Sequence, residues 1–287
     1  MPPPLPADLP PDGSRRDRPS SRPRTGTPSV LELVRLSPKP VFPPGGEDLY
    51  RQIARITELT AGQELLDSAC GRGITTCFLA GNYGVAAHGI DTQPQLIDDA
   101  EQRAREAGLE GTVNFERGPL DDLPYKDGIF DVAIGEVGLG VAADPAAAIR
   151  ELARVTRPRG RVVLVQLVWT GNLEDEKREQ LVEHLGARPM LLVEWKQLLR
   201  DAGVVELHVE DWSDHPDRFR PGGGSPFHDM AAIFTIRQKL AILRRALKRW
   251  GWRGVRGAIV REQEIHNLLT RQRVLGLTLI IGTRWDA

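Results

Sequence analysis

Glu64-Leu-Leu-Asp-Ser-Ala-Cys-Gly-Arg-Gly73 is the stretch that decides the fold. Residues 64–69 form a short apolar run carrying an acid, Cys70 to Gly73 reads as a turn with two glycines, and residues 74–82 read as a helix. A buried parallel strand that breaks into a glycine turn and a helix start builds a nucleotide cradle. The glycines let backbone approach a ligand closely, and the first N–H groups of the helix are free donors.

Which nucleotide follows from two residues. The dinucleotide fingerprint needs a third glycine, and Thr76 stands in its place. A β-branched side chain there is expected to hold the helix off the strand. Asp67, read as part of the loop region, would repel a pyrophosphate and accept from an ammonium group. A zwitterionic, phosphate-free ligand fits better, and S-adenosylmethionine is such a ligand. In this reading Gly71 and Gly73 give close backbone contact, Asp67 orients the loop and the ligand amino group, and Arg72 points to solvent.

The 287 residues are 40% hydrophobic and 27% charged, with net charge −1, which suits one large α/β domain and gives no global attraction to nucleic acid. Cys70 and Cys77 are too few for a disulfide framework, so a reducing, cytoplasmic setting is expected. No apolar run of about 18 residues is present, and no apolar signal core opens the sequence.

Residues 1–28 hold nine prolines and five arginines and are expected to be a disordered tail; residues 29–287 are expected to be a single domain. Within it, alternating patterns predict strands at 64–68, 86–91, 113–117, 130–136, 161–168, 204–211 and 275–285. Helices are expected at 47–59, 74–81, 93–106, 145–155, about 173–185, about 194–202, 230–249 and 261–272. The alternation implies a doubly wound α/β fold, a mostly parallel sheet with helices on both faces. Residues 212–273 read as a loop-helix insertion or lid before the last strand.

Asp91 ends the second strand 18 positions beyond Gly73, where a carboxylate can accept both ribose hydroxyls; it also suits a helix cap before Thr92-Gln-Pro-Gln95. Further along stand Asp121-Asp-Leu-Pro-Tyr125, Phe130-Asp131 and Glu151-Leu-Ala-Arg-Val-Thr-Arg-Pro-Arg-Gly160. With Leu65 to Gly73 and Gly89-Ile-Asp91, this ordered series resembles the class I S-adenosylmethionine-dependent methyltransferases, in particular the ubiquinone/menaquinone-biosynthesis-like small-molecule branch. The match covers about residues 60–211. The resemblance implies a seven-stranded sheet whose last strand is antiparallel, and in-line methyl transfer to a small-molecule acceptor. It implies cofactor contacts from Asp67, Ala69, Gly71, Gly73, Asp91, Thr92, Leu120, Asp121 and Glu136, and no metal.

Three positions depart from the family pattern. Ala69 replaces a glycine, which is tolerable if its φ stays negative. Pro119 stands where an acid would accept from the adenine amino group, leaving that role to Asp121 or a backbone carbonyl. Arg157-Pro-Arg-Gly160 keeps the proline and one glycine of the turn before the fifth strand.

Methyl transfer needs alignment and, for oxygen or nitrogen acceptors, a base. Glu136, at the end of the fourth strand, is the first candidate, with His228 second. His215 and Tyr50, with residues 44–46, are candidates for the substrate side or a lid. Arsenic methylation is excluded, because both cysteines lie at the turn rather than in a converging thiolate set. A nucleic-acid methyltransferase lacks support: no Asn/Asp-Pro-Pro-aromatic signature ends the fourth strand. A methyltransferase acting on nucleic acid or protein, a cofactor-binding domain without transfer activity and, last, a nicotinamide-dependent oxidoreductase stand as alternatives.

The late helix is basic and amphipathic. Ile236, Leu240, Leu243, Leu247 and Trp250 recur at heptad-like spacing, and no acid lies between Asp229 and Glu262. Residues 236–256 suit either peripheral contact with an anionic membrane or, as the simpler expectation, packing on the substrate pocket with solvated arginines outside.

Overall fold

The computed structural model describes residues 26–38, 45–142, 144–213, 235–270 and 274–285. Its strands are β1 (Glu64–Ser68), β2 (Ala86–Asp91), β3 (Val113–Arg117), β4 (Phe130–Gly135), β5 (Thr156–Trp169), β6 (Met190–Leu191), β7 (Val204–Asp211) and β8 (Leu275–Arg284). The order is β3-β2-β1-β4-β5-β8-β7, with β6 paired beside β5. β8 runs antiparallel between β5 and β7, and the other pairs are parallel. All seven strands read from the sequence are present. β6 is an addition: two residues are too few to carry a periodic signal.

The helices are α1 (Val30–Val34), α2 (Gly46–Ile56), α3 (Ile74–Tyr83), α4 (Pro94–Ala107), α5 (Pro145–Val155), α6 (Asp175–Leu185), α7 (Leu192–Asp201) and α8 (Ile236–Thr270). Side-chain alternation along the strands splits the core in two. Leu65, Ile134, Val163 and Leu279 face Tyr50, Leu79 and Ala100 of α2, α3 and α4. Leu66, Ala133, Leu164 and Ile280 face Ile149, Leu152 and Trp195 of α5 and α7.

Between β1 and α3 the backbone turns through left-handed residues: Ala69 at φ 64°, Gly71 at 55° and Gly73 at 66°. A Cβ at Gly73 would lie 2.5 Å from the Phe115 ring and 2.9 Å from Ala100, so glycine is what lets α3 start this close to the sheet. Thr76 does the opposite of what its branching suggests. It is fully buried, and its hydroxyl donates to Asp67 Oδ2 at 2.5 Å, tying helix to strand. Asp67 lies within β1, in register with Gly89 and Ile134, and not in the loop.

Ala69 also departs from expectation, because its φ is positive. An alanine there costs about 1–2 kcal/mol relative to a right-handed conformation. Space for its methyl comes from Gly138, where a Cβ would sit 2.5 Å from Ala69 Cβ. The two residues form one fitted pair across the ends of β1 and β4.

Three further differences concern the periphery. The tail reading of 1–28 overlaps residues that are packed: Pro28 is buried, and Thr27 lies against Gly257 of α8. The two late helices are present but meet directly at a kink, with non-helical backbone at Gly251 (φ 69°, ψ −179°), so α8 is two helical segments without the connecting stretch expected between 249 and 261. Its apolar stripe does not lie on a pocket. Ala246, Leu247 and Trp250 pack with Leu33 and Leu36, whereas Ile236, Leu240 and Leu243 are exposed. His215 and His228 lie outside the described residues.

The fitted pair yields a mutational cycle. Gly138→Ala should lower unfolding free energy by about 1–3 kcal/mol through overpacking. Adding Ala69→Gly should restore most of it. Denaturant unfolding of both singles and the double measures the coupling, and strictly additive effects would show that the contact has no energetic consequence.

Candidate functional site

Three acids converge on one side of the sheet at the glycine turn. Asp67 and Glu136 come from adjacent strand ends, since β1 pairs with β4 through Ser68 and Gly135. Asp91 closes β2 on the other flank of β1. All three are buried, and among the described residues none forms an ion pair. Like charges sharing a low-dielectric space without a cation raise one another's pKa.

Burial, followed by the charge of Glu136, pushes Asp67 well above the usual carboxylate range; Asp91 adds to the rise, and the Thr76 hydroxyl opposes it. Burial lifts Glu136 to about 7, against the lowering effect of the Thr75 and Tyr50 hydroxyls beside it. Burial and the nearby Glu136 charge raise the Tyr50 phenol as well. Asp67 Oδ1, Glu136 Oε1 and Thr75 Oγ1 are sealed from solvent yet lack an aligned hydrogen-bond partner among the described residues. Interior polar atoms are seldom left this way, and three together mark a place for a polar ligand.

The backbone around the acids is firmly held. Asp91 accepts from Gly71 N–H at 3.0 Å through one oxygen and from Gln93 N–H at 2.9 Å through the other, so it fixes the glycine turn and the entry to α4 together. The cap expected for Asp91 does not form: the N-cap of α4 is Gln93, and Asp91 closes a turn onto the Gln93 N–H just before the helix, while each oxygen keeps a free acceptor site for a hydroxyl. Gln166 Nε2 donates to the carbonyls of Gly135 and Glu136 at 3.1 and 2.7 Å, pinning the end of β4. At Gly71 a Cβ would meet nothing within 4 Å, which leaves open space beside the turn.

Arg72 is not a solvent-directed side chain. Its Nε lies 2.9 Å from Asp99 Oδ2, and it donates to the Ser37 carbonyl at 2.9 Å, strapping the turn to α4 and to the segment after α1. Tyr50 is interior beside Glu136 and not a surface lid residue. Leu120 is separate from the acids: its side chain packs with Ile90 and Leu66 in the opposite core. Asp121 and Thr92 are exposed at the strand ends.

Sequence reasoning missed Thr75 and Gln166. Thr75 follows the turn directly, and Gln166 is an amide inside the apolar run 162–168, a signal that marks a buried polar duty. Among the described residues no group of His, Cys, Asp and Glu has metal-holding geometry.

Residues 66–164, about a third of the chain, match the model described as a methyltransferase domain.

The chain is 32% identical over 171 residues to 27-O-demethylrifamycin SV methyltransferase of Amycolatopsis mediterranei, covering 58% of this chain and 63% of that protein. It is 35% identical over 173 residues to norajmaline N-methyltransferase of Rauvolfia serpentina, covering 55% and 58%. The chain thus spans less than two thirds of either relative. Among solved structures it resembles the [4+2]-cyclase SpnF with a TM-score of 0.65 at 23% identity, covering 84% of this chain and 82% of that one. Geranyl diphosphate methyltransferase follows the same fold at a TM-score of 0.58 and 19% identity, covering 82% and 78%.

The raised carboxyl of Glu136 sets a pH dependence for the ligand-free protein. A folded value near 7, above the unfolded 4.5, means that the folded state holds the proton more tightly between those limits. Stability should therefore fall as pH rises from about 4.5 to 7, by on the order of 2–3 kcal/mol from this group. Glu136→Gln should flatten that stretch of the profile and be the more stable protein at pH 8. Thermal unfolding across this range checks it, and parallel profiles for the two proteins would contradict the assignment.

Proposed function

We propose that the chain is an S-adenosylmethionine-dependent methyltransferase acting on a small-molecule acceptor. The observation that carries this reading is the buried set of Asp67, Asp91 and Glu136, with orphaned oxygens on Asp67 and Glu136 and no cation paired to them among the described residues. A ligand bearing an ammonium and a sulfonium supplies the missing positive charge; a pyrophosphate would add to the repulsion. The curated relatives named above are described as O- and N-methyltransferases, and neighbouring structures were solved with S-adenosylmethionine or its product bound.

The residues present fit this cofactor. Asp67 Oδ1 is placed to accept from the amino group, and Gly71 leaves its backbone open to close approach. Asp91 keeps acceptor capacity for ribose hydroxyls while holding the turn. When bound, the cofactor supplies an electrophilic methyl group on sulfur. Asp121 and the backbone around Pro119 remain the candidates for the adenine side, with no acid directly after Gly118.

Glu136 has the second role. A carboxyl near pKa 7 is half ionised at neutral pH, which suits acceptance of a proton from a hydroxyl or amine acceptor. The Thr75 and Tyr50 hydroxyls lie beside that carboxyl and lower its pKa, and Gln166 fixes its backbone. Fold alone does not decide the reaction, since one neighbour of this fold is described as a [4+2]-cyclase.

Calorimetry and a labelled-methyl transfer assay over small hydroxyl and amine acceptors test the proposal together. The protein should bind S-adenosylmethionine and not NAD, and Asp91→Ala should weaken binding by about 1–3 kcal/mol. Glu136→Gln should reduce kcat more than cofactor affinity if it takes the acceptor proton. Binding of NAD alone, or cofactor binding without transfer to any acceptor, would overturn the proposal.

A further inference from the structure

Charge is distributed unevenly over this chain. Between Asp229 and Glu262 there are nine basic residues and no acid, in a protein of net charge −1. Among the described residues, Arg261 alone of these nine forms an ion pair, with Glu183 at 2.8 Å. Apolar side chains stand exposed on the same helix. Ile236, Leu240 and Leu243 recur at i, i+4 and i+7, so they form one stripe, with Ile236 76% and Leu240 61% exposed. Past the break at Gly251, Trp252 (65% exposed) and Ile259 repeat the pattern seven residues apart, with Arg253 and Arg256 between them. A groove of about 590 Å³ runs beside this second half, lined by Arg253, Arg256, Val260 and Arg261 of α8 and by Gln180 and Glu183 of α6, the acid being paired with Arg261.

We propose that α8 is a membrane-surface helix that docks the protein on an anionic bilayer. The aliphatic stripe and Trp252 enter the boundary between headgroups and acyl chains, while Arg253 and Arg256 take lipid phosphates at the groove. Charge complementarity selects the partner class: eight bases without an acidic partner among the described residues call for a polyanion. The exposed aliphatics select the bilayer among polyanions, because a nucleic-acid backbone offers them no apolar surface. A second copy of this chain would bring the same positive charges face to face. No helix among the described residues is long and apolar enough to cross a membrane, so the contact lies in the surface plane.

The test uses the full chain and reads no methyl transfer, so its outcome is independent of the proposed enzyme activity. The protein is sedimented with vesicles of phosphatidylcholine alone or mixed with phosphatidylglycerol, at low and high salt. Binding should need the anionic lipid and weaken with salt. It should fall about tenfold or more in Arg253→Gln/Arg256→Gln and again in Leu240→Asp/Leu243→Asp, with the circular dichroism of each variant unchanged. A polarity-sensitive fluorophore on Leu240→Cys should report water in buffer and an apolar setting with anionic vesicles. An apolar signal in buffer that is independent of concentration would show the stripe covered by this chain's own residues 214–234. One that grows with concentration would show a self-interface. Either result, absence of vesicle binding, or binding by both variants as strong as that of the unaltered protein would overturn the proposal.

Discussion

Asp67 is the constraint from which the rest of the site follows. It is a carboxylate inside a central parallel strand, sealed from water, and the Thr76 hydroxyl satisfies one of its oxygens only. Glu136 on the next strand and Asp91 on the other raise its pKa further. Burying a charge without a partner is expensive, and the ordinary escape is protonation. A protein that keeps three acids so placed holds a site whose electrostatic need is met from outside. The glycine turn, the Asp91 bonds to Gly71 and Gln93, and the Gln166 clamp on β4 keep these groups from relaxing apart.

Much of this was legible in the sequence. The alternating apolar runs located seven strands along the chain, and the turn after residue 69 marked the candidate site. What escaped was set by tertiary contact. Thr76 reads as an obstacle by its branching, and becomes a link because its hydroxyl meets Asp67. Ala69 was expected at negative φ; its left-handed conformation is tolerated because Gly138, some seventy residues away, leaves room for the methyl. Tyr50 reads as a lid residue, and burial against Glu136 puts it inside. Leu120 lies beside the site in sequence, yet the pleat sends its side chain to the opposite core.

The periphery obeys weaker rules. Heptad spacing in α8 announces an apolar stripe without saying what covers it, and the structure divides that stripe between α1 and solvent. Glycines 254 and 257 let the segment at Gly26 and Thr27 cross the helix closely, a role that no local pattern in either segment reveals. The core sheet thus supports a site of fixed geometry, and the basic helix stands apart from it as a second surface.

The most direct test of the central claim is a proton count. Calorimetry of S-adenosylmethionine binding near pH 7, in two buffers of different ionisation enthalpy, gives the protons exchanged. If the buried acids take up the cofactor's positive charge, binding should release up to about one proton, and Glu136→Gln should release fewer. Binding with no proton release in the unaltered protein would contradict the account.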